Sequence, residues 1–297
     1  MTLAAIQERY RRGENITALF REMEGSSRNS PEAIEVAYDM QAGSYIAALD
    51  RPDSAAYSET YTRRIAEVIG GLGGCRSLLE VGVGEATTLT QVAAAMDEAP
   101  ASYGGFDISW SRIAAGKRFA ASREQEPVLF VGDLFEIPLP ESSVDVVYTS
   151  HSIEPNGGRE KEAIAELYRV ASRYLVLLEP SNELGTEETK QRSLAQGYVQ
   201  DLGRHARELG LKVIEHRLFE PCANPKNQTA LLLIEKDSGA AFQDRIQLAS
   251  PLSKEPMAET GGHFYSPTDL RVFPVIGGIP CLRPEQGIIA SGFADLP

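Results

Sequence analysis

Three acidic residues and two glycines have types and a spacing that could hold a positively charged nucleoside. Glu80 lies just before Gly82 and Gly84 at the end of an apolar run, and Asp107 and Asp133 each end a later apolar run. Glycines at such a point allow a tight turn and a close approach of the backbone to a ligand. A carboxylate after the second strand can accept hydrogen bonds from ribose hydroxyls. Three carboxylates would repel a phosphate, so we expect a cationic ligand that combines an amine, a ribose and an adenine.

His151 and Glu154 follow the fourth apolar run, VDVVYTS. Because an imidazole titrates near neutral pH, His151 is the best candidate for a general base, and Glu154 is the second. A role for His151 in lining the site or positioning the substrate is equally compatible with this placement. The four histidines and three cysteines are scattered without metal-ligand spacing, so we expect no metal site and no disulfide framework.

The elements that must position these residues alternate between short apolar runs and helical patterns, from about residue 75 to residue 236. Seven runs predict strands, and the segments between them predict helices. One of these is predicted to be a long helix with an apolar stripe of Leu194, Tyr198, Leu202 and Leu209. The alternation predicts an α/β fold with a doubly wound, seven-stranded, mostly parallel sheet. The first three strands lie side by side in such a sheet, so the three acids should line one crevice at its carboxyl edge.

The pattern divides the chain into three segments. Residues 1–70 predict a helical lid, in which Ser30 before Pro31 is a favourable helix start. Residues 71–237 predict the sheet domain. Residues 238–297 are rich in Pro and Gly and predict a small β-rich extension.

Four segments, in this order, resemble the class I S-adenosylmethionine-dependent methyltransferases: LLEVGVGEATTL, GGFDIS, FVGDLFEIPLPESSVDVVYTSHSIE and LYRVASRYLVLLEP. The resemblance covers about residues 75–236 and implies a Rossmann-like fold with S-adenosylmethionine as the cofactor. It implies that Glu80, Gly82 and Gly84 frame the methionine end of the cofactor. It also implies that Asp107 holds the ribose hydroxyls.

The same resemblance implies roles at the adenine and at the methyl group. Ile108 would pack on the adenine, Asp133 would accept a hydrogen bond from its amino group, and the backbone N–H of Leu134 would reach a ring nitrogen. Ser150 and His151 would lie beside the methyl group.

This sequence departs from the family pattern at two places, and two terminal segments carry further resemblances. Ala86 replaces the third glycine of the motif, and ASR at 171–173 replaces the usual glycine turn before strand five.

In YDMQAGSY, Tyr38 and Tyr45 resemble the aromatic residues that cover the methionine end in small-molecule members of the family. We assign Tyr38 to cofactor binding and Tyr45 to the catalytic site, with simple packing on the core as the alternative. The tail, with FPVIGGIP, resembles a zinc-ribbon-like methyltransferase activator that lacks the cysteines for zinc. The alternative is a β extension that covers exposed sheet or helps the protein to dimerise.

Composition limits the function classes. The net charge is −13, from 29 Lys+Arg against 42 Asp+Glu, and no basic block is present, which argues against a nucleic-acid partner. The hydrophobic content of 42% is typical of a folded protein. No apolar run reaches the roughly 18 residues of a membrane span, and the N-terminus lacks a signal-peptide pattern. We therefore expect a cytoplasmic protein without a membrane partner.

The expected function is methyl transfer from S-adenosylmethionine to an oxygen or nitrogen of a small molecule, in specialised or glycan metabolism, with a homodimer as one option for assembly. One alternative is a tRNA or protein methyltransferase with a fused activator-like tail. Two others come from different classes: an NAD(P)-dependent oxidoreductase and a non-catalytic cofactor-binding partner. Glu80 and Asp133 favour the methyltransferase, because a pyrophosphate would lie poorly among carboxylates.

Overall fold

The computed structural model describes residues 1–293. The last four residues of the predicted C-terminal extension lie outside this range. The helices of the described chain are α1 (Leu3–Arg11), α2 (Ile16–Glu24), α3 (Pro31–Asp39), α4 (Ser44–Ala48), α5 (Pro52–Gly70), α6 (Thr87–Ala95), α7 (Trp110–Ala121), α8 (Glu160–Val170), α9 (Glu187–Gln196) and α10 (Leu202–Glu208). No helix within residues 1–293 has the length and apolar character that a membrane crossing requires.

Seven strands form the central sheet, and they confirm the predicted α/β fold. They are β1 (Ser77–Val81), β2 (Ser102–Asp107), β3 (Val128–Val131), β4 (Val144–Ser150), β5 (Ala171–Pro180), β6 (Lys212–Leu218) and β7 (Thr229–Glu235). Their order is β3-β2-β1-β4-β5-β7-β6, and β7 runs antiparallel to both of its neighbours. Every residue of β1 is buried, because helices cover both faces of the sheet.

The register brings the strand-end acids to one edge, as predicted. β1 pairs with β2 and β2 with β3, all parallel, and Asp107 lies opposite Val131. Chain reversal at the strand ends therefore places Glu80, Asp107 and Asp133 around the same crevice. The order β3-β2-β1-β4 also puts a crossover reversal between β1 and β4, which is where open sheets of this kind bind ligands.

The prediction of a single long helix after strand five is wrong. Two helices, α9 and α10, replace it, because Gly197 ends α9 in a left-handed conformation with φ of +66°. Asp201, before α10, is also left-handed. Leu202 is buried but Leu194 is 62% exposed, so the predicted apolar stripe does not exist. Glycine commonly ends a helix at its C-terminus, but the prediction followed the apolar periodicity and ignored this signal.

The N-terminal residues form helices α1–α5, as predicted. Helices α3–α5 lie over the carboxyl edge of the sheet, and α1 and α2 pack with α3 in a small apolar cluster of their own. Ser30 caps α3 by accepting a hydrogen bond from the Ala33 N–H at 3.2 Å, and Pro31 is the first helical residue. At the other end of α3, Asp39 accepts hydrogen bonds from the Ser109 hydroxyl at 2.7 Å and the Ser111 N–H at 3.2 Å. The carboxylate thus caps the N-terminus of α7 and ties the helical segment to the sheet domain.

The C-terminal segment crosses to the far edge of the sheet and forms small antiparallel sheets. Its strands are β8 (Ala258–Thr260), β9 (His263–Ser266), β10 (Arg271–Phe273), β11 (Val275–Ile276), β12 (Ile279–Pro280) and β13 (Ile288–Ile289). Cys281 bridges to Val131, and the Leu282 N–H donates to the Val131 carbonyl at 2.9 Å. The segment therefore covers the β3 edge, which would otherwise expose unpaired backbone groups.

Candidate active site

One cavity of about 710 Å³ lies at the carboxyl edge of the sheet, beneath the N-terminal helices. The predicted site residues that line it are Tyr38, Tyr45, Glu80, Gly82, Asp107, Ile108, Asp133, Leu134, Ser150, His151 and Glu154. Of the predicted set, Gly84 does not line the cavity. The structure thus gathers at one site residues that lie more than a hundred positions apart in the chain.

The two motif glycines make room for side chains of the chain itself. A Cβ on Gly82, whose φ is +68°, would lie 2.2 Å from the Ser152 Cβ. A Cβ on Gly84, whose φ is +53°, would lie 2.5 Å from a guanidinium nitrogen of Arg112, and this guanidinium lies against Gly84. Ala86 occupies the third motif position with φ of +55°, in the left-handed region that favours glycine.

Glu80 is buried at the end of β1. Its Oε2 accepts a hydrogen bond of 2.7 Å from the Tyr148 hydroxyl on the neighbouring strand β4. Burial raises the pKa of Glu80 to about 8, and the nearby Asp107 carboxylate adds to the rise. At neutral pH, without a ligand, Glu80 is therefore mainly protonated, and the crevice carries less negative charge than the three acids suggest.

Glu80 alone should lower the unfolding free energy by roughly 2–4 kcal/mol between pH 5 and pH 8. The folded-state pKa of Glu80 lies above that of the unfolded chain, so within this window the folded protein holds a proton that the unfolded chain has lost. Glu179, at the end of β5, also has a raised pKa and adds a slope of the same sign. Glu80→Gln, which mimics the protonated side chain, should remove the Glu80 part of the slope in urea unfolding. The exposed Glu126→Gln serves as the control, and a slope in Glu80→Gln as steep as that of the wild-type protein would contradict the assignment.

Asp107 is buried at the end of β2 and organises the turn around it. Its Oδ2 accepts from the Gly84 N–H at 3.0 Å, and its Oδ1 accepts from the Ser109 N–H at 2.9 Å. The Arg112 guanidinium lies 3.8 Å from Oδ2. A carboxylate offers about four acceptor positions, so two hydroxyl donors can still be accommodated on the cavity side.

The opposite wall of this end of the cavity comes from the segments after β2 and β3. Asp133 Oδ1 accepts from the Phe135 N–H at 2.8 Å, which fixes the carboxylate against its own loop. Ile108 and Leu134 are half-buried and line the cavity beside it. A slot of apolar side chains with one carboxylate suits a flat ring that carries an amino group.

His151 and Glu154 lie together in the loop after β4. Nδ1 of His151 is 3.1 Å from Oε2 of Glu154, and Nε2 is 2.7 Å from the Thr229 hydroxyl. Burial by itself would lower the pKa of His151, but the hydrogen bond and charge of Glu154 outweigh it and raise the pKa above its ordinary value. The backbone of His151 is left-handed, with φ of +55°, a conformation that costs a non-glycine residue about 1 kcal/mol. Strain of this kind is typical of functional sites.

Glu179, at the end of β5, fixes the loop that carries His151. Its Oε1 accepts from the Ser152 N–H at 3.1 Å and the Ile153 N–H at 3.3 Å. Burial raises the pKa of Glu179 to about 7. Glu179 does not line the cavity, but it positions the loop that does. It has the same sequence signal as Glu80, an acid at the end of an apolar run, and the sequence prediction missed it.

Ser150 and Tyr61 connect the end of the cavity beside β4 to helix α5. Their side-chain hydroxyls share a hydrogen bond of 3.0 Å. The Tyr61 ring stacks on Tyr57 at 5.7 Å and meets Phe219 edge-on at 5.6 Å. Tyr57 and Tyr61 both line the cavity, so an aromatic wall faces the residues after β4.

Glu85, which directly follows the glycine motif, anchors the lid. Its carboxylate accepts from the backbone N–H groups of Gly43 at 3.0 Å, Tyr45 at 3.3 Å and Ile46 at 2.8 Å, and so caps helix α4. The sequence prediction assigned no role to Glu85. Only the tertiary structure brings it to α4, because the two lie about forty residues apart.

Glu85→Ala is expected to detach this part of the N-terminal helices, because three backbone N–H groups lose their shared acceptor. We expect a loss of about 2 kcal/mol or more in unfolding free energy. Amide exchange at residues 43–46 should accelerate at least tenfold, while exchange in β1 follows only the global change. The exposed Glu98→Ala is the control, and unchanged exchange at 43–46 would show that the carboxylate is not the anchor.

Within residues 1–293, no group of three or more His, Cys, Asp or Glu side chains is placed to hold a metal ion. In the same region, His151 contacts Glu154 and the Thr229 hydroxyl, and Glu179 accepts from the backbone N–H groups of Ser152 and Ile153.

Comparison with known proteins matches the central part of the chain to a family. Residues 78–173, about a third of the chain, match the model of a methyltransferase domain. No curated protein sequence matches the chain.

Comparison with solved structures gives matches at low sequence identity. Magnesium protoporphyrin IX methyltransferase from Synechocystis PCC 6803, solved with bound SAH, is 14% identical with a TM-score of 0.51, over 68% of this chain and 98% of that chain. A SAM-dependent methyltransferase from Aquifex aeolicus is 18% identical with a TM-score of 0.46, over 65% and 97% of the two chains. The family match covers the strands that carry Glu80, Asp107 and Asp133, and it leaves the tail without support as an activator module. Residues 78–173 are therefore similar to a methyltransferase domain, and the seven-stranded sheet that contains them has a Rossmann-like fold.

Proposed function

We propose that this protein transfers a methyl group from S-adenosylmethionine to an oxygen or nitrogen of a small molecule. The observation that carries the proposal is one continuous cavity that joins two sets of residues. Nucleoside-type contacts lie at one end, at Asp107 and Asp133. A polar pair, His151 and Glu154, lies at the other end, beside an aromatic wall.

The donor groups at the first end fit S-adenosylmethionine. Asp107 has acceptor capacity for two ribose hydroxyls, and Ile108 and Leu134 offer apolar faces beside the Asp133 carboxylate for an adenine. Glu80, at the methionine end, is placed to accept from an ammonium group. A cation there stabilises the carboxylate, so cofactor binding should lower the raised pKa of Glu80 and release a proton.

The second end of the cavity suits a small acceptor. The volume of about 710 Å³ is in the range of sites for one or two small ligands. Helices α3–α5 roof this end with Ile34, Leu49 and Tyr57, and Asn156 and Asn227 add polar groups. These residues suit an acceptor that has an apolar body, which the roof would contact, and a hydroxyl or amine, which the polar groups could bind.

The chemistry that the cofactor supplies is an activated methyl group on a sulfonium. The protein aligns the acceptor atom with that methyl and excludes water under the lid. With the cofactor bound, the lone pair of the acceptor atom would form a bond to the methyl carbon while the carbon–sulfur bond breaks, with S-adenosylhomocysteine as the leaving group. His151 takes the acceptor proton at Nε2 once the Thr229 hydroxyl releases that nitrogen, and Glu154 stabilises the resulting imidazolium.

Calorimetry with S-adenosylhomocysteine and with NADH tests the cofactor. Micromolar or tighter binding of the first and none of the second is the expected result. Binding of NADH alone would replace the proposal with an oxidoreductase.

Labelled cofactor incubated with a small-molecule extract, with total tRNA and with protein then tests the acceptor. Label in a macromolecule fraction would overturn the small-molecule assignment, and label in no fraction would favour a non-catalytic cofactor-binding partner.

A further inference from the structure

Arg112 is a buried cation in an unfavourable place for one. It is the third residue of α7, within the first turn, where the helix dipole repels positive charge. Only 6% of the residue is exposed, and it lines the cavity. Burial of a guanidinium is costly, so this position needs a compensating partner.

The described chain supplies charge near Arg112 but no hydrogen-bond acceptor. Asp107 Oδ2 lies 3.8 Å from Nη1, too far for a hydrogen bond. The rings of Tyr38 and Tyr45 lie 5.4 Å and 4.7 Å from the guanidinium carbon, which are cation–π distances. Within residues 1–293 the buried Nε has no hydrogen-bond partner. The rings and Gly84 hold the guanidinium in place and leave its donors available.

We propose that Arg112 binds a carboxylate, that of the amino-acid end of S-adenosylmethionine. This inference rests on the proposed function and assigns a subsite within the same cavity. With the ribose at Asp107 and the methyl near His151, the amino-acid end lies between the glycine motif and the lid. Glu80 is there for the ammonium, and Arg112 is the cation whose planar fork matches a carboxylate.

A structural role is the competing explanation. Arg112 could serve only to hold Tyr38 and Tyr45, and thereby the lid, through its cation–π contacts. The two roles differ in what they require of the ligand. A carboxylate partner matters only for ligands that have a carboxylate, whereas a lid contact matters for every ligand beneath the lid.

Calorimetry with two probes separates the roles: S-adenosylhomocysteine and its decarboxylated form, S-adenosyl-3-thiopropylamine. The wild-type protein should bind the first at least about tenfold more tightly. Arg112→Gln should weaken S-adenosylhomocysteine about 10- to 100-fold and change the decarboxylated probe less than about threefold. Arg118→Gln, an exposed arginine on the same helix, should change neither affinity.

Arg112→Lys keeps the charge without the planar fork, so its affinity for S-adenosylhomocysteine should lie between those of the wild-type protein and Arg112→Gln. If Arg112→Gln does not fold, Arg112→Lys replaces it in the comparison of the two probes. Equal affinity of the wild-type protein for both probes would overturn the inference. So would an equal loss for both probes in Arg112→Gln, which would identify a lid contact. A wild-type protein that binds neither probe would instead overturn the proposed function itself.

Discussion

Asp107→Ala is expected to weaken binding of S-adenosylhomocysteine by more than about 100-fold, measured by calorimetry. Two charge-assisted hydrogen bonds to ribose hydroxyls are each worth about 1.5–3 kcal/mol, and alanine removes both. It also leaves the N–H groups of Gly84 and Ser109 without their acceptor and the Arg112 cation without its nearby carboxylate. Each of these changes disturbs the same crevice, so their effects add in one direction.

The control for this substitution is Asp97→Ala, which removes an exposed carboxylate outside the cavity. A thermal melt of each variant shows whether the fold survives. Unchanged affinity in a folded Asp107→Ala variant would remove the ribose assignment and, with it, the strongest support for a nucleoside cofactor.

His151→Ala is expected to lower turnover about 10²- to 10³-fold, the usual contribution of a general base. Because His151 lies at the far end of the cavity from Asp107, the affinity for S-adenosylhomocysteine should change less than about threefold. His205→Ala, on α10 and away from the cavity, is the matched control. Equal losses in turnover and affinity would make His151 a binding residue, since a base acts only in the reaction.

The pH profile gives His151 a second signature. Glu154 raises the pKa of His151, so the neutral imidazole that a base requires is formed only as the pH rises through that raised value. Glu154→Gln removes the charge, so the acidic limb of the turnover profile should move to lower pH. A limb that stays in place would assign it to another group, of which Glu179 is the nearest.

Local signals in the sequence were sufficient for the fold and for most of the cavity. Apolar runs that end in acids or glycines marked β1, β2 and β3, and parallel pairing brings the ends of these strands to one edge by necessity. That is why the sequence alone could place Glu80, Asp107 and Asp133 together. The prediction of one long helix after strand five was wrong because the apolar periodicity continues across Gly197, whereas the helical backbone ends there.

The net charge of the crevice could be read only from the tertiary structure. Three acids in a sequence indicate an anionic site, but burial raises the pKa of Glu80 to about 8 even though the Tyr148 hydroxyl donates to its carboxylate. Arg112 adds a buried cation from α7, to which the sequence prediction assigned no role. A pKa depends on solvent exposure and on neighbours from other elements.

The sequence alone determined a doubly wound sheet, the edge where its ligand binds and the strand-end residues at that edge, because these follow from short-range pattern and the geometry of parallel strands. The tertiary structure alone decided how the lid is attached, through Glu85 at α4 and Asp39 at α7, and which side chains fill the space above the glycines. It also decided that the tail covers β3. These contacts join residues far apart in the chain, and such pairs carry no local signal.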